Sequence, residues 1–211
     1  YEPFCGGASV LRRLLDSDIK VNHYVCSDLN SGLIDLWNEI INNPLEVHFY
    51  YKKLWNELNV DDDKQRKKEY FSSVREQYNK EHNPLDFMFI MRTTTNGMPR
   101  YNRDGEFNNS FHVTRNGIIP ETFEKIIFEW SYLLKKNNVE FISCSYENHF
   151  FTFQPETLIL KNRTLKAARR RTNMFRVWGK IFKDNHMLKD TVVCDDSDDT
   201  RTHKVMRALE E

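Results

Sequence analysis

Apolar residues follow two patterns along this chain, a helical spacing and short uninterrupted runs. Helical spacing predicts helices over residues 9–16, 30–41, 45–58, 64–82 and 120–136. Short apolar runs predict strands over residues 21–27 and 139–145, and a third apolar segment covers residues 85–92. Because strands alternate with helices, the pattern predicts an α/β fold.

The segment 91–111, MRTTTNGMPRYNRDGEFNNSF, shows neither the helical spacing nor an uninterrupted apolar run. Its Asp104-Gly105 pair is a turn signal, and Tyr101 and Phe107 flank that turn. The segment therefore predicts a two-stranded ribbon with polar, cationic tips.

The side chains of this ribbon suit nucleic acid. Arg100 and Arg103 can bind phosphates or guanine edges, and Asn96, Asn102 and Asn108 can present amide pairs to adenine. Composition alone favours a plain polar surface hairpin instead, so the two interpretations stand side by side at this point.

The first residues, YEPFCGGASV, contain the pair Gly6-Gly7, which would let the backbone approach a ligand closely. Asp28 follows the strand predicted at 21–27. An acidic residue at the end of a second strand, about twenty residues past a glycine-rich turn, binds ribose hydroxyls in nucleotide-type folds. The glycine turn, its spacing to Asp28 and the order of elements together predict a nucleotide-like ligand.

Composition narrows the class of protein. The 211 residues are 39% hydrophobic and 29% charged, which is typical of one soluble globular domain with a real core. No apolar run approaches membrane length, and no signal peptide opens the chain. The four cysteines lie far apart without a C-x-x-C motif, which argues against zinc and indicates reduced thiols. We therefore expect a cytoplasmic protein with no membrane partner and no metal.

The formal net charge is zero, which by itself argues against a nucleic-acid partner. The charge is unevenly distributed, because residues 161–190 carry ten Lys and Arg against Asp184 and Asp190, a local charge of +8. Such a cluster can be an electrostatic footprint for phosphate. A solvated basic helix, or a tail with no stable fold, accounts for it equally well.

Three motifs in order, YEPFCGGASV, SDLNSGLIDLWNEI and RTTTNGMPRYNRDGEFN, resemble the Dam-type (D12 class) DNA adenine-N6 methyltransferases. The resemblance covers about residues 1–149 and includes FISCSYEN. It implies a Rossmann-like, S-adenosylmethionine-dependent methyltransferase sheet, incomplete here, with a helical and hairpin target-recognition insertion. The implied domains are a cofactor-binding part at residues 1–44 and the insertion at residues 45–136. A return strand at residues 137–149 and a divergent or aberrant basic tail at residues 150–211 follow.

The family's functional positions map onto this sequence residue by residue. Those of the cofactor loop match Glu2, Pro3, Phe4, Gly6 and Gly7, and Asp28 matches the ribose-binding acid. Those of the recognition ribbon match Asn96, Gly97, Met98, Arg100, Tyr101 and Asn102, with Arg100 the best candidate for a base contact. Thr95 stands where members often carry an aromatic side chain that wedges into the base stack. The target sequence and the efficiency of base flipping therefore stay open.

The resemblance implies that adenine is flipped out of duplex DNA. An Asp-Pro-Pro-Tyr loop then accepts hydrogen bonds from the N6 amino group, and the methyl is transferred directly from S-adenosylmethionine without a metal. That loop is absent, because the six prolines are all isolated, so no catalytic residue can be assigned. The family's Lys- and Gly-rich motif ahead of the cofactor loop is also missing, and the sequence opens as if a preceding segment were missing.

Three explanations compete for residues 150–211, which show little strand patterning. The segment is the product of a disrupted reading frame, or a folded tail with Asp195 or Asp198 as a substitute acceptor, or a DNA-binding helix over 163–183. We expect a monomeric, site-specific DNA adenine methyltransferase of bacterial or phage origin. The alternative is an inactive, truncated or frame-disrupted relative that retains at most DNA or cofactor binding.

Overall fold

The computed structural model describes residues 1–17, 19, 21–145, 158–164, 175–183 and 186–195. These residues form a mixed helix and strand structure with one small parallel sheet. The helices are α1 Ser9–Leu15, α2 Ser31–Asn42, α3 Pro44–Leu58, α4 Lys64–Glu81, α5 Pro84–Thr93 and α6 Pro120–Lys136. The strands are β1 Tyr24–Asp28, β2 Val139–Ser143, β3 Leu158–Thr164, β4 Phe175–Lys183 and β5 His186–Asp195.

The predicted helices are confirmed, and α6 has the predicted bounds. The apolar segment 85–92 also proves to be helical, as α5. Its start has a local cause, because the Asn83 side chain accepts a hydrogen bond from the Leu85 amide at 2.9 Å and Pro84 occupies the first turn. The strand predicted at 21–27 is shifted, so that Asp28 is the last residue of β1 instead of following it.

The chain divides into two compact units, of which the first comprises Tyr1–Asn30 and Asn137–Glu211. In it β1 and β2 pair in parallel, from Tyr24 opposite Val139 to Asp28 opposite Ser143. Glu2 adds a parallel bridge to Cys26 on β1. The carboxyl ends of both strands therefore meet at one edge, which is where ligands bind in open α/β sheets.

The basic tail contains strands that the sequence analysis missed. Strands β3, β4 and β5 form an antiparallel sheet in that order. The expectation of little strand patterning was wrong, and so was a helix over 163–183, because β4 fills residues 175–183. A signal for β4 is present in FRVWGKIFK, where basic and apolar residues interleave at short range. Lys166, Arg169–Arg171 and Asp198 lie outside the described residues, and Asp195 ends β5.

The second unit comprises Ser31–Lys136, and its core is aromatic. The stripe predicted for α4 is confirmed, because Phe71, Val74 and Tyr78 are all buried. The rings of Tyr51 on α3 and Phe123 on α6 stack with their centroids 3.9 Å apart. Such stacked pairs contribute beyond the apolar area that they bury, so they hold α3 against α6.

A strap of residues 112–119 connects the 91–111 segment to α6 and is fastened to α3. The Tyr51 hydroxyl donates to the Ile118 carbonyl at 2.9 Å and accepts from the Ile118 amide at 2.7 Å. Gly117 beside it has a φ of +79°, in the left-handed region that favours glycine. Along the described residues, no helix combines the length and the apolar character needed to cross a membrane.

Candidate functional site

The cofactor loop predicted over residues 2–7 is tied to the carboxyl end of β1. The two carboxylate oxygens of Asp28 each accept one backbone N–H, from Gly6 at 3.1 Å and from Asn30 at 3.0 Å. The Cys5 amide donates to the Ser27 carbonyl at 3.0 Å. Gly6 has a φ of +49°, so the loop turns in a conformation that costs glycine little. Asp28 thus shapes the loop as well as standing at the edge where a ligand is expected.

The residues matched to this loop differ in their exposure. Glu2 and Pro3 are buried, whereas Phe4 is 37% exposed and Gly7 is open to solvent. A Cβ added at Gly6 or Gly7 would meet no heavy atom within 4 Å. The backbone at the glycine pair is therefore accessible to a ligand, while the buried residues anchor the loop.

Two buried thiols lie in the same region. Burial raises the pKa of Cys5, and the negative charges of Glu2 and Asp28 raise it further. Burial likewise raises the pKa of Cys26. Because the thiolate is the reactive form, these thiols are protonated and poorly nucleophilic at neutral pH. Within the described part of the chain, no group of three or more His, Cys, Asp or Glu side chains is placed to hold a metal ion.

The segment 91–111 is not a regular ribbon. Its first residues, 91–93, complete α5, and Thr95–Gly97 forms a short 3-10 turn. Two isolated antiparallel bridges close the remainder, Thr94 with Phe111 and Tyr101 with Phe107. Pro99 contributes to this interruption because it has no backbone N–H to donate across a ladder. We call residues 94–111 the hairpin.

The tip of the hairpin is built around Asn102. Its side-chain oxygen accepts from the amides of Asp104 at 3.0 Å and Glu106 at 2.9 Å. Its side-chain nitrogen donates to the Glu106 carboxylate at 2.8 Å. The turn predicted at Asp104-Gly105 is present, with Gly105 at a φ of +82°. In this structure the Asn102 amide shapes the turn.

Of the remaining residues matched to the recognition ribbon, Met98, Arg100 and Tyr101 are exposed on the hairpin. Arg100 is exposed, and no acceptor among the described residues pairs with its guanidinium. Met98 is 68% exposed and Tyr101 is 42% exposed, with its ring edge-on to buried Phe107. Gly97 ends the 3-10 turn with a φ of +60°, and Asn96 belongs to the same turn. An unpaired cation beside exposed apolar groups suits contact with phosphates and bases.

A model of the D12 class N6 adenine-specific DNA methyltransferase family matches residues 1–164. The chain belongs to this family. The match extends past residue 149, where the resemblance was expected to end, and takes in β3. The expected position of the catalytic loop, just after residue 148, lies outside the described residues.

Relatives support the same family. Over 155 residues this chain is 32% identical to the Type II methyltransferase M.MjaIII of Methanocaldococcus jannaschii, covering 69% of this chain and 51% of the relative. It is 28% identical to a DNA adenine methylase of Vibrio cholerae over 162 residues, with coverages of 75% and 53%. It is 33% identical to the DNA adenine methylase of Escherichia coli over 124 residues, with coverages of 57% and 41%. The chain thus spans about half the length of the curated relatives it matches.

Sequence reasoning missed the residues that support the hairpin of this chain. Asn79 on α4 and Asn109 within the hairpin each bind backbone groups of the hairpin through their side-chain amides. Beside these contacts, a polar cleft of about 240 Å³ separates α4 from the tip. No local pattern marks such residues, because Asn79 lies 28 positions from its partner Phe107.

Proposed function

We propose that this chain carries the cofactor-binding and target-recognition parts of an S-adenosylmethionine-dependent DNA adenine-N6 methyltransferase. It would act on adenine at short sites in duplex DNA. The observation that carries the proposal is the family match over residues 1–164. Its relatives named as DNA adenine methylases support the same reaction. We expect the protein to work as a monomer in the cytoplasm of a bacterial host.

The edge formed by β1 and β2 fits S-adenosylmethionine. Among the residues that the structure describes, each carboxylate oxygen of Asp28 accepts one backbone N–H, which leaves acceptor capacity for ribose hydroxyls. The accessible backbone at Gly6-Gly7 suits close approach of the ligand, and Phe4 offers apolar contact. When bound, the sulfonium supplies an electrophilic methyl group. In this proposal β1 and β2 belong to the Rossmann-like sheet of the family.

The hairpin is the proposed DNA-reading element, within an insertion over residues 45–136. The division of the chain supports an insertion, because Ser31–Lys136 forms a compact unit of its own and lies between β1 and β2 in the sequence. Arg100 is the proposed base-reading residue, since a bidentate arginine contact to guanine distinguishes it from other bases. Asn96, Gly97, Met98 and Asn102 complete the proposed contact surface.

The acceptor for the adenine amino group is not assigned. An Asp-Pro-Pro-Tyr loop is absent from the 211 residues, because no two prolines are adjacent. The proposal therefore includes methyl transfer, but it names no residue of this chain as the acceptor for the amino group. Methyl transfer itself is tested separately from binding, so that a chain which only binds would be recognised as an inactive relative.

Calorimetric titration with S-adenosylmethionine tests the cofactor assignment. We expect wild-type protein to bind and Asp28→Asn to bind about ten- to a hundredfold more weakly, the usual effect of losing a charged hydrogen-bond acceptor. Asp16→Asn is the matched control, because the Asp16 carboxylate pairs with Arg12 on the surface at 2.9 Å and is not among the residues matched to the cofactor site. Thermal melting of both variants checks that each is folded.

Two results would overturn the cofactor assignment. One is wild-type protein that shows no heat of binding at millimolar S-adenosylmethionine. The other is a folded Asp28→Asn variant that binds as tightly as Asp16→Asn. The first result would refute S-adenosylmethionine as the ligand. The second would refute the contact between Asp28 and this ligand.

A further inference from the structure

Asn109 makes a pair of contacts that the family's motifs do not explain. Its side chain is buried, with 5% of the residue exposed. Its amide nitrogen donates to the Met98 carbonyl at 2.7 Å, and its amide oxygen accepts from the Arg100 amide at 2.7 Å. One side chain therefore binds the backbone on both sides of Pro99. It offers the same donor and acceptor as a peptide unit of a neighbouring strand.

The contact matters because Pro99 leaves the backbone here without regular pairing. The Arg100 carbonyl accepts from the Asn108 amide at 2.8 Å, so Asn109 completes the hydrogen bonding of the Arg100 backbone. Both polar backbone groups of Arg100 are thus fixed while its guanidinium projects from an exposed position. A side chain on a fixed backbone samples fewer directions than one on a mobile loop.

Helix α4 holds Asn109 in turn. The Arg75 guanidinium donates to the Asn109 carbonyl at 3.1 Å. One helical turn further on, the Asn79 amide donates to the Phe107 carbonyl at 3.2 Å and accepts from the Phe107 amide at 2.8 Å. These contacts anchor residues 107–109 to α4, a helix with a buried apolar stripe. The backbone of Arg100 is therefore held in place relative to a rigid helix.

We propose that Asn109 is a positioning residue for target recognition, which acts by fixing the backbone of Arg100. This inference rests on the proposed function, since it assumes that Arg100 reads DNA. It adds that selectivity depends on a buried side chain that does not itself touch DNA. A purely structural Asn109 would support folding without changing the choice among DNA sequences.

The test compares Asn109→Leu, which keeps the volume and removes both hydrogen bonds, with Asn109→Asp, which keeps the acceptor for the Arg100 amide. Asn59→Leu is the matched control. The Asn59 amide also binds backbone of the same unit, at the Trp55 carbonyl (2.9 Å) and the Asn116 carbonyl (3.1 Å), but it does not contact the hairpin.

Two measurements are made on each protein. The first is the ratio of dissociation constants for a duplex selected by the wild type from a random pool and for the same duplex with one selected base pair changed. The second is the hydrogen-exchange rate of the Arg100 amide by NMR. We expect Asn109→Leu to reduce the ratio about tenfold, the scale of one good base contact, and to speed exchange. Asn109→Asp should retain more of the ratio, and Asn59→Leu should change neither quantity.

The outcomes separate this inference from the function on which it rests. Wild-type protein that binds every duplex alike would contradict the recognition function. A wild type that discriminates, together with an Asn109→Leu variant that discriminates equally well, would overturn only the positioning role. If Asn109→Leu does not fold, the Asn109→Asp variant decides. In the Asn109→Asp variant, slow exchange of the Arg100 amide together with retained discrimination between the two duplexes supports the positioning role. Slow exchange of the Arg100 amide together with lost discrimination overturns it.

Discussion

Gly117 offers the most direct check of how the strap is packed. A Cβ at this position would lie 2.7 Å from the Tyr51 hydroxyl oxygen and 3.1 Å from Cδ1 of Trp55. Gly117→Ala therefore combines a left-handed backbone, which costs alanine about 1–2 kcal/mol, with overpacking of about 1–3 kcal/mol. Displacing Tyr51 also weakens its two hydrogen bonds to Ile118. We expect a loss of about 2–5 kcal/mol in the free energy of unfolding.

Gly105→Ala is the matched control for this prediction. Gly105 has a similar φ of +82°, but a Cβ there would meet no heavy atom within 4 Å. Only the backbone cost of about 1–2 kcal/mol should remain. Urea denaturation followed by circular dichroism gives both values. Equal losses in the two variants would refute the packing of Gly117 against Tyr51 and Trp55.

Two further predictions concern Asp86 and Arg100. Asp86 is buried, its Oδ1 accepts from the Tyr50 hydroxyl at 2.8 Å, and its Oδ2 has no hydrogen-bond partner among the described residues. Burial raises the pKa of Asp86 above its ordinary value. Because its pKa is higher in the folded than in the unfolded state, the protonated carboxyl contributes to the stability of the fold at low pH. That contribution is lost as the pH rises through the folded-state pKa. Asp86→Asn should gain stability relative to wild type between pH 4 and pH 7 in urea denaturation, and parallel pH profiles would contradict this. Arg100→Ala should reduce the preference for a selected duplex by about tenfold or more in fluorescence anisotropy, whereas Arg13→Ala on α1 should not. Equal effects of the two arginine changes would remove Arg100 from the base-reading role.

Local patterns in the sequence account for most of the helices. The apolar stripe of α4 was predicted because Phe71, Val74 and Tyr78 recur at helical spacing, and these residues are buried. The cofactor loop was predicted from Gly6-Gly7 and Asp28, and the structure brings Gly6 and Asp28 into contact at 3.1 Å. In both cases the physical cause lies within a few residues or within a known strand–turn geometry.

The features that were missed depend on distant or mixed signals. Strands β3 to β5 lie in a basic stretch whose charge obscures the alternation of apolar residues. The hairpin departs from a regular ribbon because Pro99 interrupts the ladder and the Asn109 side chain replaces backbone pairing. Asn79 supports Phe107 from another element, and a single sequence carries no local mark of that contact.

Methyl transfer is the most direct measure of the proposed function. The protein is incubated with S-adenosylmethionine labelled in its methyl group and with unmethylated duplex DNA, and the DNA is digested to nucleosides. We expect label in N6-methyladenine, at a level that depends on the DNA sequence. Absence of labelled N6-methyladenine from a preparation that binds both S-adenosylmethionine and DNA would contradict it.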